Sequence, residues 1–514
     1  MMKLRATLNA AASLALLLIF GSAASAQTLF PAKDARDVNP DAQLKLTFSG
    51  PPRIGPTGRV RVFEATTDRL VDTLDLSVPA GPTERATGGA LTAPYLSEPY
   101  NYDRNVVRTN GNTIPGTPSA GAVPTQHTYQ LTIIGGFTDG FHFYPIIVSG
   151  NTATIQLHHN LLEYGKSYYV LIDPEVLTMP DGSFKGITDE HAWRFSTKAK
   201  PPRADAETLT VSADGTGDFN TVQGAIDFVP DHGKKRVTIR VRKGIYQEIV
   251  YFRNKDNVSF IGEDRDATVV RYANNEVFNP HPVNIRTNEL PGTFPSRRAA
   301  FAADNSNEIH LINMTLETTA PGQAEGLLMT GRRNILKNVR VIGFGDALQV
   351  NGPTYIVDSL IEGAGDTILG RGPAFFERTT LKSRSIFMWI RNTATNHGNV
   401  FKDCRFIGTG QPTTLARSPK NGASTYPYAE AVLLNAKLSG IAPEGWGAAD
   451  EGGKVHFWEY NSRNFDGSLI DVSKRSPLSR QLDRIKDAKL ISDYSNPAFV
   501  LDGWTPQPER AFSR

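Results

Sequence analysis

The sequence predicts an all-β protein built in two parts, a β-sandwich followed by a parallel β-helix. Three observations point there. Glycine (45 residues) and proline (33 residues) are plentiful in a chain of 514 that is 39% hydrophobic, a balance that suits strands and turns better than a helical bundle. Residues 29–197 read as short alternating strands separated by Gly, Pro and Asn. After residue 207, apolar phrases recur every 20 to 25 residues, the period of a solenoid of stacked coils. The length itself exceeds one core of ordinary size, so more than one domain is expected.

At the start of the chain, Lys3 and Arg5 precede an apolar run at residues 10–20, and Ala24-Ser25-Ala26 follows it. A basic start, a short apolar stretch and a small-residue cleavage site make residues 1–26 a secretory signal peptide, so the mature chain is expected to be exported, periplasmic or secreted. No later stretch reaches the roughly 18 apolar residues that a membrane helix requires, and no integral membrane segment is expected. Cys404 is the single cysteine, which leaves the exported protein without an internal disulfide. With 55 basic against 52 acidic residues the formal charge is +3, too small to argue for nucleic acid but compatible with an anionic substrate. No metal or other cofactor is expected. An HExxH pattern is absent, and His158-His159 lie in the alternating phrase TATIQLHHN, where a strand or loop position is the ordinary reading. A monomer is expected.

Within residues 27–197 the phrases QLKLTFSG, GRVRVFEA, TATIQLHHN, KSYYVLID and HAWRFSTK alternate or carry β-branched and aromatic residues, as half-buried strands do. The opening LFPAKDARDVNPDAQLKLTFS and the closing YYVLIDPEVLTMPDGSFKGITDEHAWRFST resemble the bacterial Ig-like modules found beside extracellular enzymes. No catalytic constellation is visible there, and a spacer or surface-binding role is expected. Residues 198–207, KAKPPRADAE, read as a charged, proline-containing linker, and residues 208–514 as the second domain.

In that second part HLINMTLE, ILKNVRVIG, YIVDSLIEG, FFERTTLK and VFKDCRFIG each enclose one polar residue that looks buried. Aligning these gives Asn313, Asn338, Asp358, Arg378 and Asp403, at steps of 25, 20, 20 and 25. The phrases are strand-like with no helical period between them, so a parallel β-helix is preferred over leucine-rich repeats, whose leucine spacing is missing.

The same interval links G-F-G-D-A-L and G-A-G-D-T-I, in which Asp346 and Asp366 stand 20 residues apart. One coil apart, they should stack at the inter-strand distance of about 4.8 Å. Two carboxylates that close repel by about 3 kcal/mol at an effective dielectric near 20, on the order of two pKa units, so one should keep its proton while the other ionises. An acid beside a nucleophile is what ester or glycoside hydrolysis needs. Gly343, Gly345, Gly363 and Gly365 flank the pair and should leave space for a substrate. Aspartates in such turns are often only turn formers, but two further residues lie at compatible registers. Gln323 falls 23 residues before Asp346, where an amide donor could meet an oxyanion. Arg417, in TTLARSP, could hold the ionised carboxylate in a bidentate pair and keep its pKa low.

From about Leu209 to Trp504 these phrases resemble the pectin methylesterases, which remove methyl groups from the galacturonate esters of pectin. VSADGTGDFNTVQGAIDFVP is similar to the family's opening phrase, in which a short helix caps the first coil, KGIYQEIV carries its GxYxE, and NVSFIGEDRDATVV resembles the coil that follows. GQAEGLLM corresponds to QAVAL, GFGDAL to GYQDTL, GAGDTILG to GTVDFIFG, LARSP to LGRPW, APEGW to P-x-GW, and VHFWEYNSRNFDGS to FAEYxNxGPG. The resemblance implies a right-handed parallel β-helix in a divergent bacterial family member acting on methylated pectin or a related acidic polysaccharide. It implies Asp366 as nucleophile, Asp346 as the acid that protonates departing methanol and then activates water, Arg417 orienting Asp366, and Gln323 donating to the oxyanion. Phe344, Tyr246, Trp446 and Trp389 are candidates for the sugar faces.

Departures from the pattern matter as well. Where the family has a second oxyanion glutamine, this chain has Gly345; where LGRPW ends in tryptophan, it has Pro419; and the tract from Asp366 to Arg417 is short. Three readings therefore stand open: a pectin methylesterase, a β-helix esterase or thioesterase for another acyl substrate, and a polysaccharide-binding β-helix without turnover.

Overall fold

The computed structural model describes residues 27–83, 129–135, 140–279, 297–421, 424–447 and 454–509. The expected leader, residues 1–26, lies outside the described residues.

Alternating sequence builds the first part. Arg59–Glu64 buries every second side chain and joins Arg69–Asp75, Ser167–Ile172, Arg194–Thr197 and Ala35–Val38 in a five-stranded sheet. Gln27–Phe30, Leu44–Phe48, Thr152–Ile155 and Ile146–Ser149 form a four-stranded sheet. The two share one core that includes Leu46, Val62, Val170 and the fully buried Trp193, whose indole N–H donates to the Pro31 carbonyl at 2.8 Å. His158 and His159 sit in the loop after Thr152–Ile155 and pair with separate carboxylates, Asp72 at 2.7 Å and Asp227 at 2.5 Å.

From Thr208 the chain is a parallel β-helix. Its three walls are an eleven-stranded sheet from Thr208–Val211 to Ser479–Gln481, an eight-stranded sheet from Gly244–Gln247 to Lys437–Ser439, and a six-stranded sheet from Val250–Arg253 to Met388–Ile390. The register reproduces the sequence intervals: Leu311 pairs with Leu336, then Ile356, Phe376, Phe401 and Leu433 in successive coils. All six are buried in one continuous core, and each such side chain contributes about 1.5–3 kcal/mol on leaving water. At the open end, the helix Val222–Phe228 closes the stack with all seven residues buried, and the Thr221 hydroxyl accepts from the Gly224 N–H as its N-cap. A second core on the outer face, with Tyr355, Phe375 and Val432, is covered by the C-terminal helices Ala488–Tyr494 and Pro497–Val500.

The repeated polar residues have a different role from the one their apolar surroundings suggest. Asn313, Asn338, Asp358, Arg378 and Asp403 are half-buried or exposed, and all have positive φ, between 47° and 58°. They turn the chain from the first wall to the second in the left-handed region, which Asn and Asp tolerate best. Hydrogen bonds tie several of them coil to coil, including Asn338 to Asn313 at 2.8 Å and Arg378 to Asp358 at 2.8 Å.

Candidate active site

Two short loops carry the aspartates from the second wall to the third. One runs between the strands Arg340–Ile342 and Leu348–Asn351, the other between Leu360–Gly363 and Ile368–Gly370. Leu348 pairs with Ile368, and Gly345 bridges Gly365, so Asp346 and Asp366 occupy equivalent places one coil apart. The Asp346 N–H donates to the Gly365 carbonyl at 3.1 Å, and both aspartates sit in the left-handed region, at φ 64° and 41°.

The flanking glycines divide into two kinds. A Cβ at Gly343 would lie 2.5 Å from the Ala347 Cα, and one at Gly363 2.6 Å from the Thr367 hydroxyl; these two are needed for close packing rather than for access. At Gly365 the nearest neighbour would be 3.6 Å away, and at Gly345 the Gly322 carbonyl oxygen at 3.2 Å. Gly365 leaves room beside the carboxylates, whereas a side chain at Gly345 would press on the Gly322 carbonyl.

Gln323 is displaced by one position from its expected place. Its bridge partner is Gly345, because the local ladder advances by 22 residues there rather than 23. The side chain lies beside Gly345 and is linked to Asp346 through Arg298. Arg298 donates to its amide oxygen at 2.6 Å, which turns the amide NH2 away from the guanidinium. Glu276 accepts from its backbone N–H at 2.6 Å.

Arg298 is the hub that the sequence did not reveal. It reaches both oxygens of the fully buried Glu325 at 2.9 Å and the Asp346 carboxylate at 2.7 Å. Burial alone would weaken the arginine's charge, but Glu325 and Asp346 more than reverse this and raise its pKa. The available signals were the doubled Arg297-Arg298 and the single acidic residue inside GQAEGLLM.

Arg417 holds Asp366 by one contact, Nη1 to Oδ2 at 2.7 Å, not by the expected fork. The other oxygen, Oδ1, is buried with no hydrogen-bond partner among the described residues. Asp366 is 20% exposed at its side chain. The backbone N–H of Arg417 donates to the Met388 carbonyl at 3.0 Å, and its guanidinium lies 4.9 Å from the Trp389 ring. The Arg391 guanidinium is 5.0 Å from the same ring.

Burial is the main cause of the upward shift at both carboxylates, and repulsion from Asp366 is a smaller one at Asp346. Burial lifts Asp346 to about 7; Arg298 pulls it down while Glu325 and Asp366 push it up further. Asp366 is also raised by burial, against the opposing pull of Arg417 and Arg391, so Arg417 limits the rise and does not hold the pKa low as its pairing suggested. One carboxyl can thus keep a proton near neutrality while the other carries an unpartnered, ionisable oxygen. This arrangement can perform nucleophilic attack and proton delivery.

Of the aromatic candidates, Phe344 and Trp389 are half-buried, Phe344 in the Asp346 loop and Trp389 beside Arg417. Tyr246 and Trp446 are not available to a sugar. Tyr246 is 2% exposed and donates to the Arg242 carbonyl at 2.8 Å. Trp446 is 1% exposed, stacks on Phe457 with ring centres 4.8 Å apart and donates to Glu459 at 2.9 Å. Both fill the core of the coil stack.

Comparison with known proteins places these features in context. Residues 208–502 match the family described as Pectinesterase. Pectinesterase 31 of Arabidopsis thaliana is 30% identical over 292 residues, covering 54% of this chain and 89% of that protein. Probable pectinesterase/pectinesterase inhibitor 19 of the same plant is 27% identical over 343 residues, and the chain spans 62% of its length. Among solved structures, pectin methylesterase from carrot aligns with a TM-score of 0.47 at 20% identity, over 57% of this chain and 93% of that one. Pectin methylesterase PemA from Erwinia chrysanthemi aligns with a TM-score of 0.45 at 19% identity, over 60% and 100%. The family match runs through more than half of the chain and encloses both aspartate loops, Gln323 and Arg417, and on that ground the chain belongs to the pectinesterase family.

Proposed function

We propose that the protein is a carboxylic ester hydrolase that removes methyl groups from galacturonate esters in pectin, releasing methanol. The observation that carries this reading is the stacked Asp346–Asp366 pair with unequal partners: one carboxyl raised to about 7 beside Arg298 and Glu325, the other held by Arg417 with Oδ1 unpartnered.

In the first half-reaction Asp366 Oδ1 attacks the ester carbonyl carbon, and the π pair moves onto the carbonyl oxygen, where the Gln323 amide donates to it. As the tetrahedral centre collapses, the bond to the methoxy oxygen breaks and Asp346 delivers its proton there, so methanol leaves and an acyl-aspartyl anhydride remains. In the second, Asp346 takes a proton from water as the water oxygen attacks the galacturonyl carbon. The Asp366 carboxylate departs, and a galacturonic acid is left on the chain. Phe344 and Trp389 supply faces for neighbouring sugars. No metal or cofactor has a part in these steps. We further propose that residues 27–197 are an Ig-like module and that the protein acts outside the cytoplasm, as the leader-like residues 1–26 suggest.

The test is methanol release from highly methylated pectin by the purified chain, with Asp366→Asn beside it. Release by the parent and loss of about a thousand-fold or more in the variant is the expected result. A second reading rests on Gly345, which withholds a donor that the family pattern supplies: an esterase for a different acyl group. Turnover of acetyl or aryl esters without methanol release from pectin would favour it, and new reducing ends without methanol would point to glycoside cleavage instead.

A further inference from the structure

Three buried polar atoms close to the aspartates have no hydrogen-bond partner among the described residues: Asp366 Oδ1, Arg391 Nε and Trp389 Nε1. Buried polar groups are nearly always paired, so a convergent set of orphans marks where substrate atoms belong. The three are physically connected. Arg417 touches Asp366 at 2.7 Å and lies 4.9 Å from the Trp389 ring, and Arg391 covers that ring at 5.0 Å.

Strand register explains how they meet. On the outer face of the third wall, Trp389 stacks above Leu369 and Gln349, and one pleat further Arg391 follows Ile390, whose partner is Gly370, just before Arg371. Arg391 thus comes from the coil on the far side of Asp366 from Gln323. Its charge acts on both carboxylates, drawing Asp346 and Asp366 downward. Burial, and then Arg371, pulls the arginine below its usual value, with Tyr426 and Asp346 acting in the opposite direction. A negative charge arriving beside it would relieve both penalties.

Gly345 has no side chain to donate, and Gln323 is the side-chain amide that stacks beside it among the described residues. We propose that Arg391 is a catalytic residue that donates from the opposite coil to the oxyanion formed when Asp366 attacks, in the place of the contact that Gly345 does not make. The inference rests on the esterase reading above. No proton moves to or from Arg391: as the Asp366 Oδ1–carbon bond forms, the carbonyl π pair becomes the oxyanion lone pair that accepts the Arg391 N–H, and the pair returns to the C=O bond when methoxide leaves with the Asp346 proton. Trp389 lies beside both arginines, its ring centre 5.0 Å from the Arg391 guanidinium and 4.9 Å from that of Arg417.

The experiment compares the parent, Arg391→Gln, Arg391→Lys, Gly345→Gln and the double variant Arg391→Gln/Gly345→Gln on two substrates, methylated pectin and 4-nitrophenyl acetate. The aryl ester needs no protonation of its leaving group but still forms an oxyanion. Arg391→Gln should lower kcat about 100- to 1000-fold on both substrates, with KM changed little. Arg391→Lys should recover part of the loss, because the charge returns without the rigid fork. The double variant should exceed Arg391→Gln alone in kcat, since a glutamine at position 345 supplies a replacement amide. Full pH profiles separate this role from charge tuning. If Arg391→Gln merely shifts the profile upward in pH and regains parental kcat at its new optimum, the proposal is overturned. It is equally overturned if a folded Arg391→Gln variant retains parental kcat. Turnover of the aryl ester but not of pectin, with the Arg391 effect intact, would refute the pectin reading and uphold this one. No turnover of either ester by the parent overturns both.

Discussion

At the scale of single residues, the site is set by what stands behind the carboxylates. Asp346 is coupled through Arg298 to Glu325, a charge that is completely buried. If Asp346 must be protonated to release methanol, kcat/KM falls as pH rises through about 7, and it falls again on the acid side as Asp366 gains a proton. Glu325 pushes the Asp346 value up. Glu325→Gln removes that push and leaves the Arg298 charge less neutralised, so the alkaline limb should move to lower pH. A pH–rate profile of the variant checks this; a limb that stays in place or moves upward contradicts the assignment. The Asp pair, Gln323 and Arg417 were legible in the sequence because the family-like phrases and the coil interval both mark them. Arg298 and Arg391 were not, because an isolated arginine in a sequence is ordinarily solvated and only its distant partners reveal otherwise.

At the scale of elements, the turn ladder and the C-terminal cap offer separate tests. Asn338 is held at φ 50° and donates to Asn313. Asn338→Ala imposes a left-handed conformation on a residue that resists it by roughly 1–2 kcal/mol and removes a hydrogen bond, while Asn338→Gly relieves the backbone and should lose less. Thermal midpoints of the two variants decide the order. The cap is fastened by Glu430, whose carboxylate receives His397 and His456 at 2.8 Å each and the Tyr494 hydroxyl at 2.6 Å. Burial opposes its ionisation, yet these hydrogen bonds hold it down at about 2, below its usual 4.5. A carboxylate lowered in the folded state stabilises above its unfolded value and loses that contribution as pH falls from about 4.5 towards 2. Glu430→Gln should therefore be less stable at neutral pH and should lose less further stability across that acid window, as denaturant titrations at several pH values would read.

At the scale of the whole molecule, the residues read as a linker, 198–207, run between two parts that pack against each other. Lys198 bonds to the Val38 carbonyl through its N–H and to the Gly217 carbonyl through its ammonium, at 2.8 Å each. Ile134 and Phe141 of the first part join Ile249, Tyr251, Tyr272 and Phe278 of the second in one cluster. Asp41 accepts from the Asn220 and Thr221 N–H groups and the Thr221 hydroxyl at 2.8–2.9 Å, serving the start of the capping helix from the sandwich side. Both parts should unfold together as one calorimetric transition. Asp41→Ala, which strips the helix start of three contacts, should lower that single midpoint by an amount corresponding to about 1–2 kcal/mol. Two resolved transitions, with only one moved by Asp41→Ala, would show that the parts fold separately.

The sequence by itself determined the architecture and the centre of the site: strands repeated every 20 or 25 residues dictate a coil stack, and a repeated aspartate in that period must stack as well. The reason is that a solenoid converts local sequence spacing directly into spatial register. Tertiary structure alone decided what surrounds the pair. Arg298 meets Asp346 across 48 residues, a separation that follows loop lengths rather than the repeat. It also decided that Tyr246 and Trp446 are core residues, that Gln323 stacks beneath Gly345, and that the sandwich closes onto the first coils. Each of these depends on which side chains burial brings together, a property of packed surfaces that periodic spacing in one chain does not carry.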